Sequence, residues 1–222
     1  IDNISIIVRK NYHSLLDHLG AGRGWDLVRK NGGLNIVPPF AQKQVKVFEG
    51  RIEALESLRG YLLKQPQKYV IMTDANIAIN FDFNELLDAH IKSGAEVTMM
   101  YRKQEIPKAF IRQSRDRMDL YYALGMNGDR VSKIYINPTE EGEMNFSMNI
   151  YVVEREFLIN MIDDAYVHGH TYFVRDLLDK QIDRLDIRGF CYDGYVVNIH
   201  DTQSYFEENM RRSLSTYLDG LF

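Results

Sequence analysis

The chain has 222 residues, 45% hydrophobic, 26% charged and 12% aromatic, which excludes a disordered or fibrous protein and supplies enough apolar residues for a real core. Its 27 basic and 31 acidic residues leave a net charge of −4 with neither sign in a long block, which disfavours a general affinity for nucleic acid. No run approaches the roughly 18 apolar residues of a membrane-spanning helix and no secretory signal opens the chain, so a single soluble, cytoplasmic α/β domain is expected.

In chain order, residues 3–8 are rich in Ile and Val and predict a strand. HSLLDHLG follows with Leu15, Leu16 and Leu19 at helical spacing and Gly20 placed to stop the helix. Residues 20–33 hold five glycines in fourteen positions and read as a long loop, after which LNIVPPF is extended. In FEGRIEALESLRGYLLKQ the apolar positions Ile52, Leu55, Leu58, Leu62 and Leu63 share one helical face, with Gly60 weakening its end. YVIMT, residues 69–73, is a continuous apolar run and predicts a mid-sheet strand covered on both faces.

The polar TDAN comes next, then FDFNELLDAHIKSG as a helix closed by Gly94, then EVTMMY as a strand, making a β-α-β unit. Beyond the basic connector IPKAFIRQSRDR, two alternating runs flank Asn127-Gly128-Asp129 and predict a hairpin. FSMNIYVV reads as a strand, EREFLINMIDDAYVHG and YFVRDLLDKQID as helices, and FCYDGYVVNI as closely spaced strands. Asp201-Thr202 caps a final amphipathic helix.

Ligands in open α/β sheets bind beyond the carboxyl ends of strands, which draws attention to Asp74-Ala75-Asn76 and to Asn198, His200 and Asp201. A carboxylate from each cluster would suit a divalent metal bridging phosphates, although an Asp after a strand is ordinarily a cap or turn former. Gly20-Ala21-Gly22-Arg23-Gly24 follows a predicted helix and so lacks the context of a phosphate loop. His168-Gly169-His170 has no third ligand at a supporting spacing and reads as an exposed turn. Tyr121-Tyr122 and Met99-Met100 read as packing residues. The single cysteine, Cys191, excludes an intramolecular disulfide, and its surroundings in IRGFCY predict a small core residue.

The ordered motifs WDLVRKNGG, PPF, EGRIEAL, YVIMTDANIAINFDF, the hairpin, SMNIY, YFVRDLL and GYVVNIHDTQSYFEENM resemble the nucleotidyltransferase domain of bacterial glucose-1-phosphate adenylyltransferase along essentially the whole chain. The resemblance implies a Rossmann-like mixed sheet of the nucleotide-diphospho-sugar transferase type with a β-hairpin excursion. It also implies that residues 1–222 are a partial nucleotidyltransferase-like domain. The family's Gly-rich GGxGxRL phosphate loop would lie upstream and its left-handed β-helix domain downstream.

Against that family the chain departs at the residues that matter for chemistry. Alignment through Asp82 places Asn76 where the family's SGDHIYKMDY has its Mg²⁺-binding Asp, and alignment through Gly194-Tyr195 places Asn198 at the second metal Asp of GYWKDVGT. An amide oxygen is a much weaker ligand for a hard dication than a carboxylate. The sugar-phosphate motif EEKP reads Tyr135-Ile136-Asn137-Pro138, and GTADA reads Gly50-Arg51-Ile52-Glu53-Ala54. Ser147, Tyr151 and Asp176 match substrate-side residues, while Ser147 and Tyr151 read equally well as ordinary strand residues.

This pattern resembles the non-catalytic D-type subunit of Gram-positive bacteria. It implies no catalytic residue, no cofactor, a catalytic glucose-1-phosphate adenylyltransferase subunit as partner in a hetero-oligomer, and a sugar-phosphate or nucleotide effector. The alternative is an active transferase making ADP-glucose and pyrophosphate from ATP and glucose 1-phosphate, with Mg²⁺ held by Asp74. A third reading is an effector-binding module using Ser147, Tyr151 and the loop from Arg23 to Arg29.

Overall fold

The computed structural model describes residues 1–8, 12–38, 50–106, 120–140 and 142–219. The basic connector predicted from residue 106 lies almost wholly outside them, as do Pro39 and Phe40. The chain divides into two compact units, residues 1–68 with 155–180, and residues 69–154 with 181–222.

In the first unit, β1 (Asn3–Ile7) pairs in parallel with β2 (Gly33–Val37). Between them run α1 (Tyr12–Leu19), ended by Gly20 at φ 50, and a loop tightened by a single 3₁₀ turn at Arg23–Trp25. The predicted long helix is two: α2 (Arg51–Ser57) and α3 (Arg59–Leu62). The break falls at Leu58 rather than at Gly60, where the Ser57 hydroxyl donates to the Ala54 carbonyl at 2.6 Å. Such back-bonding by serine bends helices. Four of the five positions of the predicted apolar stripe, Ile52, Leu55, Leu58 and Leu62, are buried, whereas Leu63, one step past the end of α3, is 52% exposed and leaves the stripe.

α2 packs on α5 (Arg155–Val167), and Arg59 grips Asp163 with two hydrogen bonds of 2.5 and 2.7 Å, tying α3 to the same helix. That pairing raises the Arg59 pKa and lowers that of Asp163. Gly50, which starts α2, is needed for close approach: a Cβ there would collide with the Thr171 carbonyl. The predicted helix at YFVRDLL is a π-helical turn, Phe173–Leu178, continued by a 3₁₀ turn at Asp179–Gln181.

The second unit is built on a six-stranded mixed sheet in the order β3-β8-β5-β9-β7-β6. Its strands are β3 (Tyr69–Met72), β5 (Val97–Glu105), β6 (Tyr122–Asn127), β7 (Arg130–Ile136), β8 (Glu143–Glu154) and β9 (Ile187–Cys191). β3 is an edge strand, paired among the described residues with β8 alone, which corrects its expected place in mid-sheet. β8 runs antiparallel to both β3 and β5, so those two are parallel to one another with β8 between them. The connecting helix α4 (Phe83–Ser93) completes the β-α-β unit.

α4 begins at Asp82, whose side chain accepts from the Asn84 N–H at 2.9 Å, and ends at Gly94 in the left-handed region. Its Leu86, fully buried, packs with Met100, Met148, Ile150 and Val152 of the sheet. The buried His90 ring lies 2.8 Å from the Thr98 hydroxyl, and burial pushes its pKa down. The β6-β7 hairpin turns at Gly128, φ 62, as Asn127-Gly128-Asp129 predicted. Met99, Met100, Tyr121 and Tyr122 are buried, in keeping with a packing role. Cys191, by contrast, is exposed at the end of β9, so it is no core residue; its Sγ lies 3.4 Å from an Asp193 oxygen.

A second, two-stranded sheet joins β4 (Ile77–Ile79) to β10 (Val196–Asn198), antiparallel. The chain closes with α6 (Thr202–Asp219), capped by Asp201, which accepts from the Ser204 N–H at 2.7 Å. Among the described residues no helix is long and apolar enough to cross a membrane.

Candidate functional site

The β4-β10 pair sets Asn198 opposite Ile77, and the Ile199 N–H donates to the Asn76 carbonyl at 2.8 Å. Register therefore brings together two residues 122 positions apart: Asn76 Nδ2 donates to Asn198 Oδ1 at 3.1 Å. The His200 ring lies against them, its Nδ1 3.1 Å from the Asn198 carbonyl oxygen and its Nε2 3.8 Å from an Asp201 oxygen.

Asp74 points elsewhere, accepting from Asn149 Nδ2 at 2.9 Å. Asn149 is a residue that the sequence reading passed over. In the β5-β8 ladder Met100 faces Ile150 and Tyr101 faces Ser147, leaving Met148 and Asn149 as a bulge, with Asn149 at φ 55. A polar Asn amid an apolar strand was the available signal, because Asn tolerates this backbone better than other non-glycine residues. Asn149 Oδ1 accepts from the Tyr151 hydroxyl at 2.8 Å, and its N–H donates to Ser147 Oγ at 3.3 Å. Ser147 and Tyr151 are buried, Tyr151 completely, so both serve the chain Asp74-Asn149-Tyr151. Tyr151→Phe is expected to lower stability by about 1 kcal/mol through loss of one part-buried hydrogen bond, read as a fall in urea midpoint at unchanged slope.

Beside the asparagine pair lies a pocket with two kinds of wall. Arg102, Gln104, Asn198 and His200 form the polar side, and Ile77, Phe146, Met148 and Val196 the apolar side. Arg102 did not stand out in the sequence, because one arginine near the end of an apolar strand reads as a solvated edge.

Asp176 belongs to the first unit, where it is buried. It accepts from the Thr171 and Tyr172 N–H groups at 3.1 and 2.9 Å and from Arg175 Nε at 2.8 Å. Burial alone pushes its pKa up, but the Arg175 and backbone donors outweigh that and hold the carboxyl well below the usual range. Arg29 in the glycine-rich loop is likewise engaged, with Asp26 and Asp2 at 2.9 and 3.1 Å. His168 and His170 stack at 6.0 Å between centroids across a turn at Gly169. In the second unit Asn137 closes the base of the hairpin by exchanging hydrogen bonds with the Tyr121 backbone, both 2.9 Å.

The asparagine pair does not fit Mg²⁺. Its two oxygens carry no formal charge, and one of them already accepts the other amide's N–H. Among the described residues no group of three His, Cys, Asp or Glu side chains is placed to hold a metal ion.

The family described as Nucleotidyl transferase matches residues 1–211. The chain is 26% identical over 213 residues to "Glucose-1-phosphate adenylyltransferase" of Thermosipho melanesiensis, covering 95% of this chain and 50% of that protein. It is 24% identical to the Bacillus subtilis protein of that name, covering 95% of this chain and 54% of that one. To "Glycogen biosynthesis protein GlgD" of Geobacillus stearothermophilus it is 31% identical over 121 residues, 54% of this chain and 35% of that protein. The chain thus spans about half the length of the adenylyltransferases it matches. Among solved structures, HddC from Yersinia pseudotuberculosis superposes with a TM-score of 0.65 at 13% identity, covering 93% of this chain and 77% of that one, a likeness of fold alone.

Proposed function

The chain belongs to the nucleotidyl transferase family, and from that premise we propose that it is part of a regulatory, largely non-catalytic subunit of glucose-1-phosphate adenylyltransferase in glycogen biosynthesis. In this reading residues 1–222 are a partial nucleotidyltransferase-like domain of a protein that binds a catalytic homologue in a hetero-oligomer and tunes it. The observation that carries it is the hydrogen-bonded pair Asn76–Asn198, two neutral amides at the positions where the family's resemblance puts metal-binding carboxylates. Similarity to both adenylyltransferases and a glycogen biosynthesis protein supports the pathway. Asp74, the ligand of the active alternative, accepts from Asn149 and is not among the residues that line the pocket with Asn198.

Regulation requires contacts that differ between the partner's active and inactive states. The test is Mg²⁺-dependent ADP-glucose formation by the full-length protein, alone and mixed with its catalytic homologue. The expected result is no turnover alone and altered activity or effector response in the mixture. Substantial turnover alone, abolished by Asp74→Ala, would overturn the proposal and make Asp74 the metal ligand.

A further inference from the structure

We propose that the pocket beside the asparagine pair is a metal-independent anion site, in which Arg102 takes the phosphate of a small organic phosphate monoester. Arg102 and Gln104 are two residues apart on β5, so alternation puts both on one face of the strand, and both line the pocket. Among the described residues neither side chain has a hydrogen-bond or ion-pair partner. Half-buried arginines elsewhere in the chain are tied: Arg188 to Asp129 and Asp186, Arg59 to Asp163, Arg155 to the Leu62 and Gln67 carbonyls. A half-buried guanidinium left without a partner in a recess holds its donors in place for a ligand.

The rest of the wall agrees in sign. None of the eight lining residues is acidic. Asn198 spends its oxygen on Asn76, which leaves its N–H₂ group as the end available to a ligand. The inference rests on the proposed loss of the metal centre: Asn198, which lines the recess, would as a carboxylate draw a cation towards it together with a carboxylate at position 76, whereas as an amide it leaves Arg102 as the permanently charged group of the lining. An anion is then favoured directly. The apolar wall around Phe146 and Met148 would stay bare against inorganic phosphate alone, which argues for a ligand with a carbon body.

Calorimetric titration of the full-length protein with glucose 1-phosphate, inorganic phosphate and glucose, each in EDTA and in Mg²⁺, tests this. Glucose 1-phosphate is expected to bind equally with and without Mg²⁺, inorganic phosphate more weakly, and glucose not at all. Arg102→Gln should weaken glucose 1-phosphate binding by about tenfold to a hundredfold, the range for one charge-assisted contact. Arg102→Lys, which keeps the charge but loses the fork, should fall between, and it carries the test if Arg102→Gln lowers the ligand-free melting midpoint. Affinity unchanged in both variants, a requirement for Mg²⁺, or no binding of either phosphate would overturn the proposal. Inorganic phosphate binding as tightly as glucose 1-phosphate would overturn the monoester assignment. Turnover by the protein alone would sink the non-catalytic reading without moving these binding constants, so the two failures are distinguishable.

Discussion

Asp at both position 76 and position 198 is expected to lower the unfolding midpoint in EDTA and to make that midpoint rise with Mg²⁺, two effects the unsubstituted chain should not show. The amides now share a 3.1 Å hydrogen bond. Replacing both removes the side-chain N–H that joins them and sets two carboxylates at contact distance. At an effective dielectric constant of about 20, unit charges that close repel by about 5 kcal/mol. Exposure of the pair and salt screening reduce the cost to about 1 to 2 kcal/mol at neutral pH.

The penalty has a pH signature. Like charges raise one carboxyl's pKa in the folded state, so the variant binds a proton more tightly folded than unfolded. Its destabilisation should therefore be small near pH 4 and grow towards pH 7. Mg²⁺ reverses the sign of the interaction, since a ligand held only by the native state stabilises by about 2.7 kcal/mol at a hundredfold excess over its Kd. Thermal melts of the double variant with and without Mg²⁺ read all of this. A midpoint indifferent to Mg²⁺ would show that the two positions do not enclose a cation space, and the proposed ancestry of the site would fail with it.

What could be read from the chain beforehand divides along a physical line. Local rules held where local forces decide: the Asp82 cap and Gly94 stop of α4, the turn at Gly128, the Asp201 cap of α6. Hydropathy reports whether the faces of a strand are covered and says nothing of its hydrogen-bonded edges. That is why YVIMT, apolar throughout, belongs to an edge strand whose Tyr69 and Ile71 pack on the α4 cluster. The three-residue strands β4 and β10 are too short to carry a period, and each exists through pairing with the other. Yet Asn76, just before β4, and Asn198, the last residue of β10, were singled out by alignment with a family, and register then placed them side by side. The Asn149 bulge and the Arg102 recess were hidden for another reason. Both are products of tertiary register, in which a single polar residue in a strand acquires its role from what lies across the ladder.

Asp176→Asn is expected to cost about 2 to 4 kcal/mol at pH 7, the largest single-site loss foreseen for this chain. The carboxylate, 7% exposed, takes two backbone N–H groups and the Arg175 guanidinium. Both backbone N–H groups go to Oδ2, so an amide oxygen placed there keeps them but turns N–H₂ towards Arg175 Nε, a donor that cannot accept it. The two backbone N–H groups flank the Thr171 carbonyl, which accepts from Ile52 of α2 at 3.3 Å, so loss of the charge that holds them should loosen the start of α2 as well. The pH dependence follows from the depressed carboxyl pKa. Above about pH 4 the side chain is ionised both folded and unfolded and its contribution is fully present; below that, the unfolded chain takes up the proton first and the contribution drains away. Urea denaturation of the two proteins should therefore show a gap that is constant from pH 7 to about 5 and narrows as the pH falls through 4 towards 2. A gap that persists undiminished at pH 2 would mean that shape and packing at position 176, rather than charge-assisted hydrogen bonding, hold the π-helical turn in place.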